Sequence, residues 1–108
     1  MSNLSEELIR KTLNATSVTT GSKPSAATAA ALGGSTAYTG GLFLTNASVT
    51  AAEIVWYRTD GTAATIAGTG SAPLHAGASI PLGMGDLSKI SIIAASGTPI
   101  VAWTATTL

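Results

Sequence analysis

Cysteine is absent from this 108-residue chain, and histidine occurs once, as His75. The first absence excludes a disulfide framework and any thiolate metal site. The two together leave no zinc ligand set. Charge is scarce too: five Lys and Arg balance five Asp and Glu, for a net charge of zero. Nucleic-acid binding draws on several unpaired cations, so this balance argues against a nucleic-acid partner and against an anionic membrane surface. No apolar run approaches the roughly 18 residues that span a bilayer. Glu6 and Glu7 stand where a secretory signal would carry its apolar core. The expectation is a soluble product of the cytoplasm, with no membrane partner.

The catalytic vocabulary is equally thin. His75 lies in Pro73-Leu74-His75-Ala76-Gly77 with no serine elbow of the G-x-S-x-G type elsewhere. Asp60 and Asp86 adjoin glycines and read as turn residues. No calcium loop occurs, and the Gly68-Thr69-Gly70 and Gly83-Met84-Gly85 triplets do not continue into a phosphate loop. The chain is therefore read as a non-enzyme with no catalytic residues, no cofactor and no metal.

What is present is mostly small. Ala, Thr, Ser and Gly supply 61 residues. Residues 3–13 carry the period of an amphipathic helix. Leu4, Leu8, Ile9 and Leu13 fall on one half of the helical wheel, and Glu6, Glu7, Arg10 and Lys11 fall on the other. Glu6–Arg10 and Glu7–Lys11 are favourable i,i+4 pairs. An eleven-residue helix is marginal alone in water, so its apolar face requires a partner surface. Residues 14–41 are dominated by Thr, Ala, Ser and Gly, and are read as an extended arm. Lys23-Pro24 bars a helix there, and residues 26–32 have room for two helical turns stopped by Gly33-Gly34.

From Leu42 onward short apolar runs alternate with turn residues. Strands are expected over 42–45, 53–59, 80–84, 89–95 and 99–106. Asp60-Gly61 is expected to turn residues 62–67 back as a hairpin partner, and Ser96-Gly97 to make another turn. The expected fold is mainly β: a small antiparallel β-sandwich or barrel over 42–108, preceded by the helix and arm over 1–41.

Residues 53–59 are apolar on both faces, with Ile54 and Trp56 on one and Val55 and Tyr57 on the other. The last strand repeats this, with Val101 and Trp103 opposite Ile100 and Ala102. A half-solvated strand would alternate apolar with polar. The second faces therefore call for cover by the N-terminal segment or by another subunit. Trp56, Tyr57 and Trp103 are the aromatic candidates for core or interface anchors, or for stacking on a sugar. Leu4, Leu8, Ile9 and Leu13 are the candidate docking residues.

The runs Leu42-Phe43-Leu44-Thr45-Asn46-Ala47-Ser48, His75-Ala76-Gly77-Ala78-Ser79-Ile80-Pro81-Leu82 and Leu87-Ser88-Lys89-Ile90-Ser91-Ile92-Ile93-Ala94-Ala95-Ser96-Gly97-Thr98-Pro99-Ile100-Val101 share a cadence. Over roughly 42–106 the chain resembles the small β-sandwich structural proteins of tailed-bacteriophage virions. The resemblance implies a decoration, or cement, protein of the head, or else a neck or tail component. It further implies a major capsid protein or other virion protein as partner, a homo-oligomer with a trimer favoured, and a virion location after synthesis in the host cytoplasm. A receptor- or glycan-binding module is the other class that the aromatic residues allow.

Overall fold

The computed structural model describes residues 17–107. Ten strands and one 3-10 turn follow in order: β1 Ser17–Pro24, β2 Ala30–Ala31, β3 Ala37–Tyr38, β4 Leu42–Asn46, β5 Val55–Arg58, β6 Ala72–Leu74, β7 Ser79–Leu82, β8 Gly85–Asp86, the turn Leu87–Lys89, β9 Ser91–Ala94 and β10 Ile100–Thr107. They form two four-stranded sheets, β1-β10-β4-β7 and β2-β9-β5-β6, and a two-stranded β3-β8 pair. Every pairing is antiparallel. The two large sheets share no strand, so the expected sandwich or barrel is a sandwich.

Strand alternation decides which side chains enter the core. On the first sheet Leu42, Leu44, Val101 and Ala105 point inward, with Ile80, Leu82 and Trp103 packed around them. On the second sheet Val55, Ile92 and Leu74 point inward, and Tyr57 packs beside them. Leu32 and Ile90 from the connections, Tyr38 from β3 and Leu87 from the 3-10 turn fill the remaining space. Burial of the Tyr38 hydroxyl, reinforced by the nearby charge of Asp86, pushes its ionisation above the ordinary phenol range.

One polar side chain is buried with this core. Asn46, at the end of β4, is fully buried. Its Nδ2 donates to the Glu53 carbonyl at 2.8 Å and to the Leu74 carbonyl at 3.0 Å, and its Oδ1 accepts from the Ser48 N–H at 3.1 Å. Leu74 belongs to the opposite sheet and Glu53 leads into it, so a single carboxamide ties the two layers together. A buried amide is tolerated because its bonds are made.

The expected arm is corrected by the structure. From Ser17 onward it is part of the sandwich: β1 pairs along its whole length with β10, from Ser17 opposite Thr107 to Pro24 opposite Ile100. The reason lies in the small residues that made it look featureless. A Cβ at Gly21 would collide with the indole of Trp103, which lies across that position. A larger residue there would drive the aromatic off the sheet. The two helical turns allowed over 26–32 are absent. Ala30–Ala31 pairs with β9, and the Leu32 N–H donates to the Ile90 carbonyl at 2.8 Å, delivering Leu32 to the core. The N-terminal helix with its Leu4, Leu8, Ile9 and Leu13 lies outside the described residues.

The hairpin at Asp60-Gly61 is also corrected. Both sides of β5 are occupied, by β6 and β9, leaving no slot for residues 62–67. Gly61, at φ +82°, instead donates its N–H to the Lys89 carbonyl at 2.9 Å. The chain then crosses the outside of the second sheet, where buried Ala64 donates its N–H to Ser91 Oγ at 2.9 Å.

Candidate functional site

The outer faces of the two sheets are treated differently. On β2-β9-β5-β6 the 59–71 loop roofs Ser91. A clamp fixes that loop: Arg58 Nε donates to both Asp60 oxygens, at 2.7 and 2.9 Å, and Nη1 donates to the Thr69 carbonyl at 2.9 Å. The Arg58 bond, with help from the Thr62 N–H, holds the Asp60 carboxyl far below the usual carboxylate range.

On β1-β10-β4-β7 nothing among the described residues covers the outer face. Its residues follow from the register. One row across the sheet is Ser22, Ala102, Thr45 and Ser79; the next is Thr20, Thr104, Phe43 and Pro81; then come Val18 and Thr106. None of these is charged. Val18 is 61% exposed and Phe43 59%, values that single them out among large apolar side chains on a sheet. Around Phe43, a shallow groove of about 410 Å³ is lined by Thr20, Ser22, Thr45, Ala102 and Thr104. Thr45 and Ser79 hydroxyls bond each other at 2.7 Å across β4 and β7. The face is thus an apolar centre bordered by hydroxyls, with no ion to desolvate. It is the candidate site.

The sequence candidates distribute as follows. Trp56 points outward on the second sheet, cross-strand from Pro73 and Ile93. Tyr57 and Trp103 turn inward and pack against the core, so neither is presented on an outer face. Ile100, opposite Val101 and Trp103 on the last strand, is on the outer face and 41% exposed. Phe43 and Val18 were missed. The signal for Phe43 was legible, since Leu42-Phe43-Leu44 is apolar on both faces, as 53–59 is.

The polar groups that a reaction would need are engaged in turns. Asp86 Oδ1 accepts from the Ser88 N–H at 2.9 Å and its hydroxyl at 2.7 Å, and from the Thr36 N–H at 3.2 Å. Those bonds, the Ser88 pair foremost, lower its ionisation below the ordinary range. Glu53 accepts from the Ser48 hydroxyl. His75 is exposed in a turn closed by the Ala78 N–H on its carbonyl at 2.9 Å. Among the described residues no cluster of three or more His, Cys, Asp or Glu is placed to hold a metal ion. No helix among them is long and apolar enough to cross a membrane.

No known relative emerges. No protein family, no curated protein and no solved structure matches the chain. The site must therefore be interpreted from its own chemistry.

Proposed function

We propose that the chain is a structural protein that seats its β1-β10-β4-β7 outer face on a symmetric protein shell, in the manner of a virion decoration protein. The observation that carries this reading is the uncharged outer face, uncovered among the described residues, with Phe43 exposed on the inner strand β4 and Val18 exposed toward the β1 edge. Contiguous exposed apolar surface bordered by polar residues is characteristic of a protein-binding surface. Threonine and serine around it exclude water at low desolvation cost, while Phe43 supplies the buried anchor. The resemblance of residues 42–106 to tailed-phage structural proteins supplies the class of partner, a major capsid protein.

The test is co-sedimentation of the full chain with empty shells assembled from the major capsid protein that this reading requires in the same genome. Saturable, stoichiometric binding is expected, and Phe43→Lys is expected to weaken it by at least ~10-fold, because a lysine there would bury an unpaired charge. A folded wild-type chain that does not sediment with the shells refutes the proposal. A second reading, a glycan-binding module, draws on the same groove: an exposed ring bordered by the hydroxyls of Thr20, Ser22, Thr45 and Thr104 suits the apolar face and hydroxyl edge of a sugar. Binding to a glycan array, lost in Phe43→Ala with folding intact, selects that reading.

A further inference from the structure

The four edges of the two sheets are not equivalent. β7 carries Pro81 and β6 carries Pro73, each removing a backbone donor, and β2 is only two residues long. Short strands and proline are the ordinary means of blunting an edge against pairing. β1 has neither defence over most of its length. It runs eight residues, carries one charge, at Lys23, and reaches proline only at its last position.

The backbone polarity of this edge follows from the ladder. Thr106 accepts from the Gly40 N–H at 2.7 Å and donates to the Gly41 carbonyl at 3.0 Å, so its backbone faces the β4 side. In an antiparallel pair both groups of a residue point the same way and alternate along the strand. Trp103, Ala105 and Val101 therefore face β1, and exchange bonds with their partners Gly21, Thr19 and Lys23. The backbone groups of Val18, Thr20 and Ser22 point away from the sheet. All three residues are exposed, and among the described residues no backbone partner meets them.

We propose that β1 pairs antiparallel with β1 of a second copy, about a two-fold axis at Thr20. That register sets Thr20 opposite its own mate and Val18 opposite Ser22 of the second copy, so every outward N–H of the three residues finds a carbonyl. A shift to an axis at Gly21 would instead set Val18 against Pro24, which has no N–H to give. The charges agree with the register: Lys23 falls opposite Ser17, so no like charges meet. On the inner side Gly21 falls opposite Thr19 of the second copy, which closes over the half-buried indole of Trp103. A strand seam alone buries less than the roughly 1,200 Å² typical of a stable interface. A seam of that size belongs with weak, reversible associations. The pairing is two-fold, in place of the trimer that the family resemblance implied, and it does not depend on the shell-binding reading.

The test is sedimentation equilibrium of the full chain, with two variants. A dimer is expected. Thr20→Pro removes an outward N–H without touching the bonds to β10, and is expected to raise the dimer dissociation constant at least ~10-fold with an unchanged far-UV spectrum. Thr20→Cys introduces the only thiol of the molecule. Paired residues at such a position are roughly 5.5 Å apart at Cα, within disulfide range. Mild oxidation is expected to give a covalent dimer, whereas Thr45→Cys, on the same face but off the axis, stays uncrosslinked. A monomer at all concentrations, with the edge occupied by the chain's own N-terminal residues, overturns the proposal. So does a trimer, or a dimer that Thr20→Cys fails to trap.

Discussion

Asn46 carries more of the fold than its size implies. Its two donated bonds end on carbonyls of different connections, Glu53 before β5 and Leu74 in β6. Asn46→Ala removes three hydrogen bonds at a buried site, and is expected to cost roughly 2–4 kcal/mol in urea unfolding. Asp60 and Asp86 make a separate contribution that depends on pH. Both are held below their ordinary value of 3.8, Asp60 by Arg58 first and Asp86 by Ser88 first. A carboxylate depressed in the folded state stabilises the protein above its unfolded value and loses that stabilisation as pH falls. The urea midpoint is therefore expected to stay level from neutrality to about pH 5 and to decline below about pH 4. Asp60→Asn should flatten part of that decline. The sequence read both aspartates as turn residues: Asp60 lies in the bend after β5, and Asp86 ends β8 and caps the 3-10 turn. Their Thr62 and Ser88 partners lie two residues on, whereas the Ser35 and Thr36 bonds to Asp86 come from across the fold and leave no local pattern.

Strands that announce themselves by large apolar residues were legible as elements: β4, β5, β7, β9 and β10 all lie where alternation and turn residues put them. β1 was not, because its contribution is to be thin. Gly21 leaves room for Trp103 on β10, and periodicity has no way to register a residue defined by what it omits. Gly21→Val is expected to cost about 1–3 kcal/mol and to shift the Trp emission to the red as the indole is displaced. Most of that cost should vanish in a Trp103→Ala background, where the two substitutions couple. The same placement decides the truncations. A chain starting at Ser17 keeps every pairing described and is expected to melt cooperatively. One starting at Gly41 has lost β1, β2 and β3, and is expected to show no cooperative transition. The hairpin expected after Asp60-Gly61 failed for a related reason: a turn signal is local, whereas the slots beside β5 were filled from elsewhere in the sequence.

For the molecule as a whole, neutrality is the property that reaches function. The candidate face was only half legible: the doubly apolar strands called for a covering partner, but the aromatics chosen as anchors included Tyr57 and Trp103, which the pleat turned inward. Phe43, in the middle of a strand of the same type, took the outward position. Because that face has no charge, attachment through it should respond little to ionic strength. Shell binding is expected to change less than ~2-fold between low and high salt, where an ion-paired contact would weaken markedly. The distribution of proline has a further consequence. A sheet open at both sides can add subunits without end and grow into fibres. This molecule has Pro81 and Pro73 on two edges, a strand of two residues on a third, and one long edge without such protection. With β1 paired as proposed, edge-to-edge association takes a single step and stops, so concentrated solutions are expected to hold dimers and no fibres.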